Sequence, residues 1–445
     1  MNILSSLAFV VMSMAPASVP SLDVEHYTLD NGLVVILSHD ARLPVVAVEV
    51  RYLVGSAHEA KGRTGFAHLF EHLMFQGSAN FDDEYFKPFE PLGAKINGTT
   101  STDRTNYYQQ VPSNYLEQVL WMESDRMENL LPALSLKKLN NQRDVVKNER
   151  RQNYEDRPYG VAWRLLAEAL HPPGHPYHHL TIGSHADLTA ASIDDVKTFF
   201  AQYYAPANAV VTVVGDFDRT TIKPMIDKYF GHIPRGNRAP TPTATLPALS
   251  GVVKASASDE VKLPRVYFAW NTPAIYQKGD AALDVLSTVL TGGKSSRLYR
   301  SLVYEQKVAK DVAAYQVSRQ LSGFFVVQAT AAKGVSAETL NQALSAELTK
   351  ALSAPPTADE FRRVLNGWKK NFYGGLAAVL NKVQLLSRYY HFTGKPDFLK
   401  RDLARYTSLT PDAIHTAAKA YLPAGQRVEL TIRPKATPAT KAGSK

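Results

Sequence analysis

The 445-residue chain contains no cysteine. Disulfide bridges, thiolate metal sites and thiol nucleophiles are therefore excluded, and the redox state of its compartment is left open. Beyond residues 2–17, no run reaches the roughly 18 apolar residues that a membrane span needs. A strongly one-signed charge is also missing. The formal net charge of +9 is modest for this length, and Arg433, Lys435, Lys441 and Lys445 carry four of the positive charges in a Pro/Ala/Thr-rich tail. No clustered basic face with a recognition motif is present, which argues against nucleic acid as a partner. A phosphate loop fails too. Gly292-Gly293-Lys294-Ser295-Ser296 would need a glycine five residues before Gly293, where Thr288 stands.

The apolar start, residues 2–17, ends in Ala15-Pro16-Ala17 and resembles a signal-peptide core with a small-residue cleavage site, although a basic leader is missing. Export, to a periplasm or beyond, is the expectation; a cytoplasmic protein with an N-terminal extension is the other reading.

Against these absences stands one dense motif, His68-Leu69-Phe70-Glu71-His72. On a helix, residues three and four apart share a face, so His68, Glu71 and His72 converge. Phe66, Leu69, Phe70 and Leu73 line the other face and can anchor the helix in a core. Thr64 and Gly65 can open the helix and Gly77 can close it. Two imidazoles one turn apart suit Zn²⁺. The intervening Glu71 is placed to take a proton from an attacking water. A catalytic zinc commonly has a third protein ligand. Residues 135–156 read as a long helix ending before Pro158, with Gln142, Val145, Val146, Glu149 and Asn153 on one face. Periodicity alone does not separate Glu149 from Glu155 or Asp156.

The Pro-rich stretch 233–249 reads as a linker between halves of similar length. Each half opens alike, with Leu43-Pro44-Val45-Val46 in one and Leu263-Pro264-Arg265-Val266 in the other. An internal duplication follows. Strands and helices without strict alternation favour an α+β fold. The expected divisions are an extension over 1–22, a metal-binding domain over 23–232, the linker over 233–250, a second domain over 251–433 and a basic tail over 434–445. Residues 93–102, rich in Gly, Asn, Thr and Ser, suit an exposed edge strand open to an extended peptide. His175, His178 and His179 surround Pro176 in a loop-like stretch, and a solvated turn is expected there rather than a second metal site.

His68-x-x-Glu71-His72 followed by Glu149 resembles the M16 family of inverted-zincin metallopeptidases, which includes pitrilysin, insulysin and mitochondrial processing peptidase. Gly93-Ala94-Lys95-Ile96-Asn97-Gly98-Thr99-Thr100, Val213-Val214-Gly215-Asp216 and Gly292-Gly293-Lys294-Ser295-Ser296-Arg297 agree, so the likeness spans roughly residues 24–433. It implies an antiparallel sheet flanked by helices in each half and one Zn²⁺ per chain, held by His68, His72 and Glu149. Glu71 would be the general base, and Asn97 with the backbone of Gly98 and Thr99 would hold the substrate.

Two departures matter. Gln142 stands where relatives often carry a second Glu; its amide can still support a ligand, without charge. An Arg and a Tyr seven residues apart complete active sites in this family, but the matching positions here are Val303 and Lys310. The resemblance thus implies a zinc endopeptidase of short or unfolded peptides, acting as the catalytic half of a heterodimer rather than a homodimer. A related zinc-less subunit would supply the missing pair. Lys310 as a substitute cation, and a non-catalytic assembly subunit, are the competing readings.

Overall fold

The computed structural model describes residues 21–435. The apolar start and the last ten residues of the tail lie outside the described residues. Two β-sheets form the frame. The first contains β1 (Glu25–Thr28), β2 (Val34–His39), β3 (Val45–Tyr52), β4 (Lys95–Thr100), β5 (Thr105–Pro112) and β6 (Ala209–Gly215), in the order β1-β2-β6-β3-β5-β4. The second contains β7 (Val253–Asp259), β8 (Arg265–Thr272), β9 (Ala309–Val317), β10 (Gly323–Ala331) and β11 (Val428–Pro434), in the order β7-β11-β8-β10-β9. Set β1 aside and the two orders superimpose strand for strand. The duplication is therefore complete at the level of topology, and β4 and β9 are equivalent edges.

The sheets are mixed, which corrects the expectation of purely antiparallel ones. β2 runs parallel to β6, and β7 parallel to β11, while every other pair is antiparallel. The reason is connectivity. β6 and β11 each close their half after a long helical excursion, and only such a crossover lets a strand join in the parallel sense. β2, β3 and β6 are Val-rich and buried along nearly their whole length, as strands covered on both faces must be.

What covers those second faces is an exchange between halves. Helix Val161–Leu170 of the first half packs Ala162, Leu166 and Leu170 on Tyr267, Ala269, Val326 and Leu430 of the second sheet. Helix Val379–Thr393 of the second half packs Val379, Val383 and Leu386 on Val34, Ile36, Ala47 and Val210 of the first. Residues 234–249, between the halves, carry no helix or strand. Among the described residues no helix is long and apolar enough to cross a membrane.

Candidate metal centre and its surroundings

The motif helix spans Phe66–Leu73 and follows Gly65, whose φ of 90° is left-handed. A side chain there would collide with the Ile182 carbonyl at 2.8 Å, so glycine is required. The helix start is capped by a carboxylate. Glu59 accepts from the backbone N–H of Gly65 at 2.9 Å and of Ala67 at 2.8 Å, meeting the positive end of the helix. Glu59 is fully buried and His179 Nε2 lies 3.0 Å from it. Burial raises the Glu59 pKa, against the pull of His179 and the two amides. Phe66, Leu69, Phe70 and Leu73 are buried as expected, with Phe70 against Phe199, Phe200 and Tyr204. Behind this layer a buried Glu123–Arg126 ion pair lies under Phe75, Tyr85 and Tyr107, the Arg126 guanidinium 4.1 Å from the Tyr85 ring centre.

The second helix, Leu136–Arg150, starts at Ser135, whose hydroxyl accepts from the Lys138 N–H at 3.2 Å. It then widens into a π-turn over Arg151–Glu155. Glu149 projects toward the motif helix. Its Oε2 lies 3.6 Å from Nε2 of His68 and 3.6 Å from Nε2 of His72. Glu155, by contrast, is engaged by Arg150 at 2.9 Å and His185 at 3.0 Å, away from this cluster. His68, His72 and Glu149 each offer one ligand atom, all within 4.8 Å of one another, and no other such cluster occurs among the described residues. Tetrahedral zinc with ligands at 2.0–2.1 Å places them about 3.4 Å apart. The two 3.6 Å sides lie close to that spacing, and with every pair inside 4.8 Å the three side chains can close on such an ion.

The electrostatics agree. Burial pushes His68 down to about 4, so its ring is a neutral donor at ordinary pH. Burial also works against the charged form of His72, but Glu149, Glu71 and Gln142 overcome it and raise its pKa. His72 in turn lowers Glu149. Gln142 is buried, and its side chain favours the charged form of His72. Burial raises Glu71 despite the Thr100 hydroxyl, which donates to its Oε2 at 2.6 Å. A carboxyl with a raised pKa is better matched to taking and returning a proton.

Strand β4 sits at the sheet edge beside this helix. Gly98 is buried against it: a Cβ there would lie 3.1 Å from Glu71 Cγ and 3.0 Å from Phe75. The Gly98 N–H donates to the exposed Asn97 side chain at 2.9 Å. Thr99 is turned to the other face, as strand alternation dictates. Its hydroxyl donates to Asn106 Oδ1 at 2.6 Å and its carbonyl accepts from Arg104. Thr100, on the Gly98 side of the strand, and Glu59 are site residues that sequence reasoning passed over. Thr100 carried a signal, since it lies two positions from Gly98 on the same strand face.

The histidine loop differs from the solvated turn expected of it. His175 is buried, its Nδ1 accepting from the Tyr177 N–H at 3.0 Å, and His179 supports Glu59. The second half covers this loop, which is why it is dry. In that half, Val303 is half-buried in the turn before β9, and Lys310 is exposed on β9 itself.

Two duplicated halves with one inverted His/Glu/His helix define a class of metallopeptidase architecture. A family model described as insulinase (peptidase family M16) matches residues 34–174, and one described as peptidase M16 inactive domain matches residues 190–367. The latter range excludes the motif helix and Glu149. The zinc protease PqqE of Helicobacter pylori is 30% identical over 370 residues, covering 82% of this chain and 83% of that protein. The uncharacterised zinc protease YmxG of Bacillus subtilis is 25% identical over 305 residues, covering 68% and 73%. A crystal structure of a protease from Helicobacter pylori superimposes with a TM-score of 0.86 at 28% identity, covering 93% of this chain and 100% of that one. The chain belongs to the M16 peptidase family.

Proposed function

We propose that the protein is a zinc-dependent endopeptidase. The observation that carries this is the ligand triangle of His68, His72 and Glu149 with Glu71 at its side and Glu155 held away. These side chains would hold one Zn²⁺, which when bound polarises a scissile carbonyl and makes a water acidic enough to ionise near neutral pH. Glu71 takes the proton of the attacking water on Oε1, while Thr100 keeps Oε2 in place. It then returns that proton to the departing amine. The free edge of β4 aligns an extended peptide, and the Asn97 side chain swings off the Gly98 N–H to release it for the substrate backbone. Short or unfolded peptides suit this mode, since only an extended main chain can add to the edge.

The catalytic zinc half is completed by a partner. Val303 and Lys310 offer neither the guanidinium nor the phenol that would steady the developing oxyanion. A related subunit without zinc ligands supplies them, in a heterodimer. The test is metal analysis together with cleavage of a quenched peptide, with and without chelator. Glu71→Gln is expected to keep its zinc and lose cleavage, and His72→Ala to lose both. Normal turnover by Glu71→Gln would overturn the assignment.

A further inference from the structure

Away from the metal centre, buried polar atoms of His175, Asn271 and Ser322 lack a hydrogen-bond partner where the halves meet. Two cavities, of about 1020 and 520 Å³, share Thr102, Thr181, Val317 and Arg319 as common wall. Arg319 sits at the tip of the β9–β10 hairpin. Its guanidinium is held between two rings, 4.7 Å from the centre of Tyr177 and 4.6 Å from that of Phe324. Among the described residues it makes no ion pair, and none of its guanidinium N–H groups has a hydrogen-bond acceptor.

The neighbouring carboxylate of Asp103 favours the Arg319 charge but makes no ion pair with it. Asp103 Oδ1 accepts from the Tyr177 hydroxyl at 2.5 Å, and Oδ2 from the Gln320 N–H at 3.1 Å. Asp103 thereby pins the hairpin instead, as does the Tyr177 oxygen accepting from the Leu321 N–H at 3.0 Å. Arg319 is thus a cation fixed in place by stacking, with its forked donors unused and facing open volume. Burial costs such a group its hydration, and its pKa is lowered accordingly. A carboxylate matches the fork in two parallel hydrogen bonds.

The location says whose carboxylate. Asp103, which anchors the hairpin, follows β4 by three residues, so the second half delivers Arg319 to the end of the peptide-binding edge. Trp163, Tyr315 and Phe324 wall the smaller cavity beside it and suit an apolar side chain.

Resting on the peptidase reading, we propose that Arg319 binds a carboxylate of the peptide lying on β4, and so sets a preference for acidic substrates. The group is either an Asp or Glu side chain near the scissile bond or the peptide's C-terminus. It is a specificity residue and takes no part in bond cleavage.

The test uses quenched peptides of one core sequence on the full chain, with any co-purifying partner. Glu is exchanged for Gln at successive positions in one arm, and the C-terminal acid for an amide in the other. One of these exchanges is expected to raise KM about tenfold with kcat little changed, and the arm that responds identifies the source. Arg319→Gln is expected to erase that difference, and Arg319→Lys to restore part of it. Binding of the same peptides to Glu71→Gln protein, read by fluorescence anisotropy, separates the two readings. Cleavage without any carboxylate dependence in the wild type overturns the role of Arg319 and leaves the peptidase standing. Carboxylate-dependent binding without cleavage overturns the peptidase and leaves Arg319.

Discussion

At Gly98 the edge strand and the motif helix approach so closely that one methyl group decides where Glu71 sits. The added Cβ of Gly98→Ala would press on Glu71 Cγ at 3.1 Å and on the Phe75 ring at 3.0 Å. Displacing a general base by a fraction of an ångström costs rate far more than binding. We expect Gly98→Ala to keep full zinc stoichiometry and to lose about tenfold or more in kcat, as measured by single-peptide kinetics beside metal analysis. At this scale much of the centre was legible in the sequence. His68, Glu71 and His72 lie within one helical turn and a half, so their convergence needs no tertiary information. Glu149 is different. Only the family resemblance singled it out among three acids, because nothing local tells which carboxylate on a helix meets a second helix. Glu59 was invisible as a cap for the same reason, since it stands seven residues ahead of the helix it closes.

Elements carry a second lesson, about what polar loops conceal. The stretch holding His175, His178 and His179 reads as solvated because it has no apolar period, and His171 lies just ahead of it. The β9–β10 hairpin, more than 140 residues later, folds over it and removes the water. His171 is buried, with its Nδ1 donating to the Ala167 carbonyl at 3.0 Å. Burial first, and then the nearby Arg319 charge, push its pKa down to about 3. The linkage has a definite sign. Between about pH 6.5 and pH 3 the unfolded chain binds a proton at this ring and the folded chain does not, so stability falls as pH falls through that window, by about 1.4 kcal/mol per unit. Above pH 6.5 both states are neutral and the term vanishes. Urea midpoints taken from pH 7 to pH 4.5 are expected to decline less steeply in His171→Gln than in the wild type. The long helix over 135–156 was, by contrast, plain from its cap and from Pro158; only the widening at Arg151–Glu155 was hidden, since a π-turn has no sequence period of its own.

On the scale of the whole molecule, duplication was readable and interlocking was not. Repeated openings at Leu43-Pro44 and Leu263-Pro264 announce two copies of one topology. An amphipathic helix, however, states that it covers a sheet without stating which sheet. Leu386, fully buried on the first sheet, therefore tests the exchange. Leu386→Ala is expected to cost about 2–5 kcal/mol and to shift a single cooperative transition, seen alike by far-UV circular dichroism and by tryptophan fluorescence. Two separated transitions would show that the halves fold independently. The open position at Val303 and Lys310 gives the other prediction at this scale. Purified alone, the chain is expected to cleave peptides weakly, and adding a related subunit that carries the Arg and Tyr pair is expected to raise kcat without changing bound zinc. Full turnover by the lone chain would remove the need for a partner.

Because each sheet wears a roof borrowed from the opposite half, the connection between them is almost superfluous once folding is complete. A single cut anywhere in residues 234–249 would leave two fragments clasped like folded arms, each unable to depart without exposing the other's core. The mutual loan of helices keeps the machine whole.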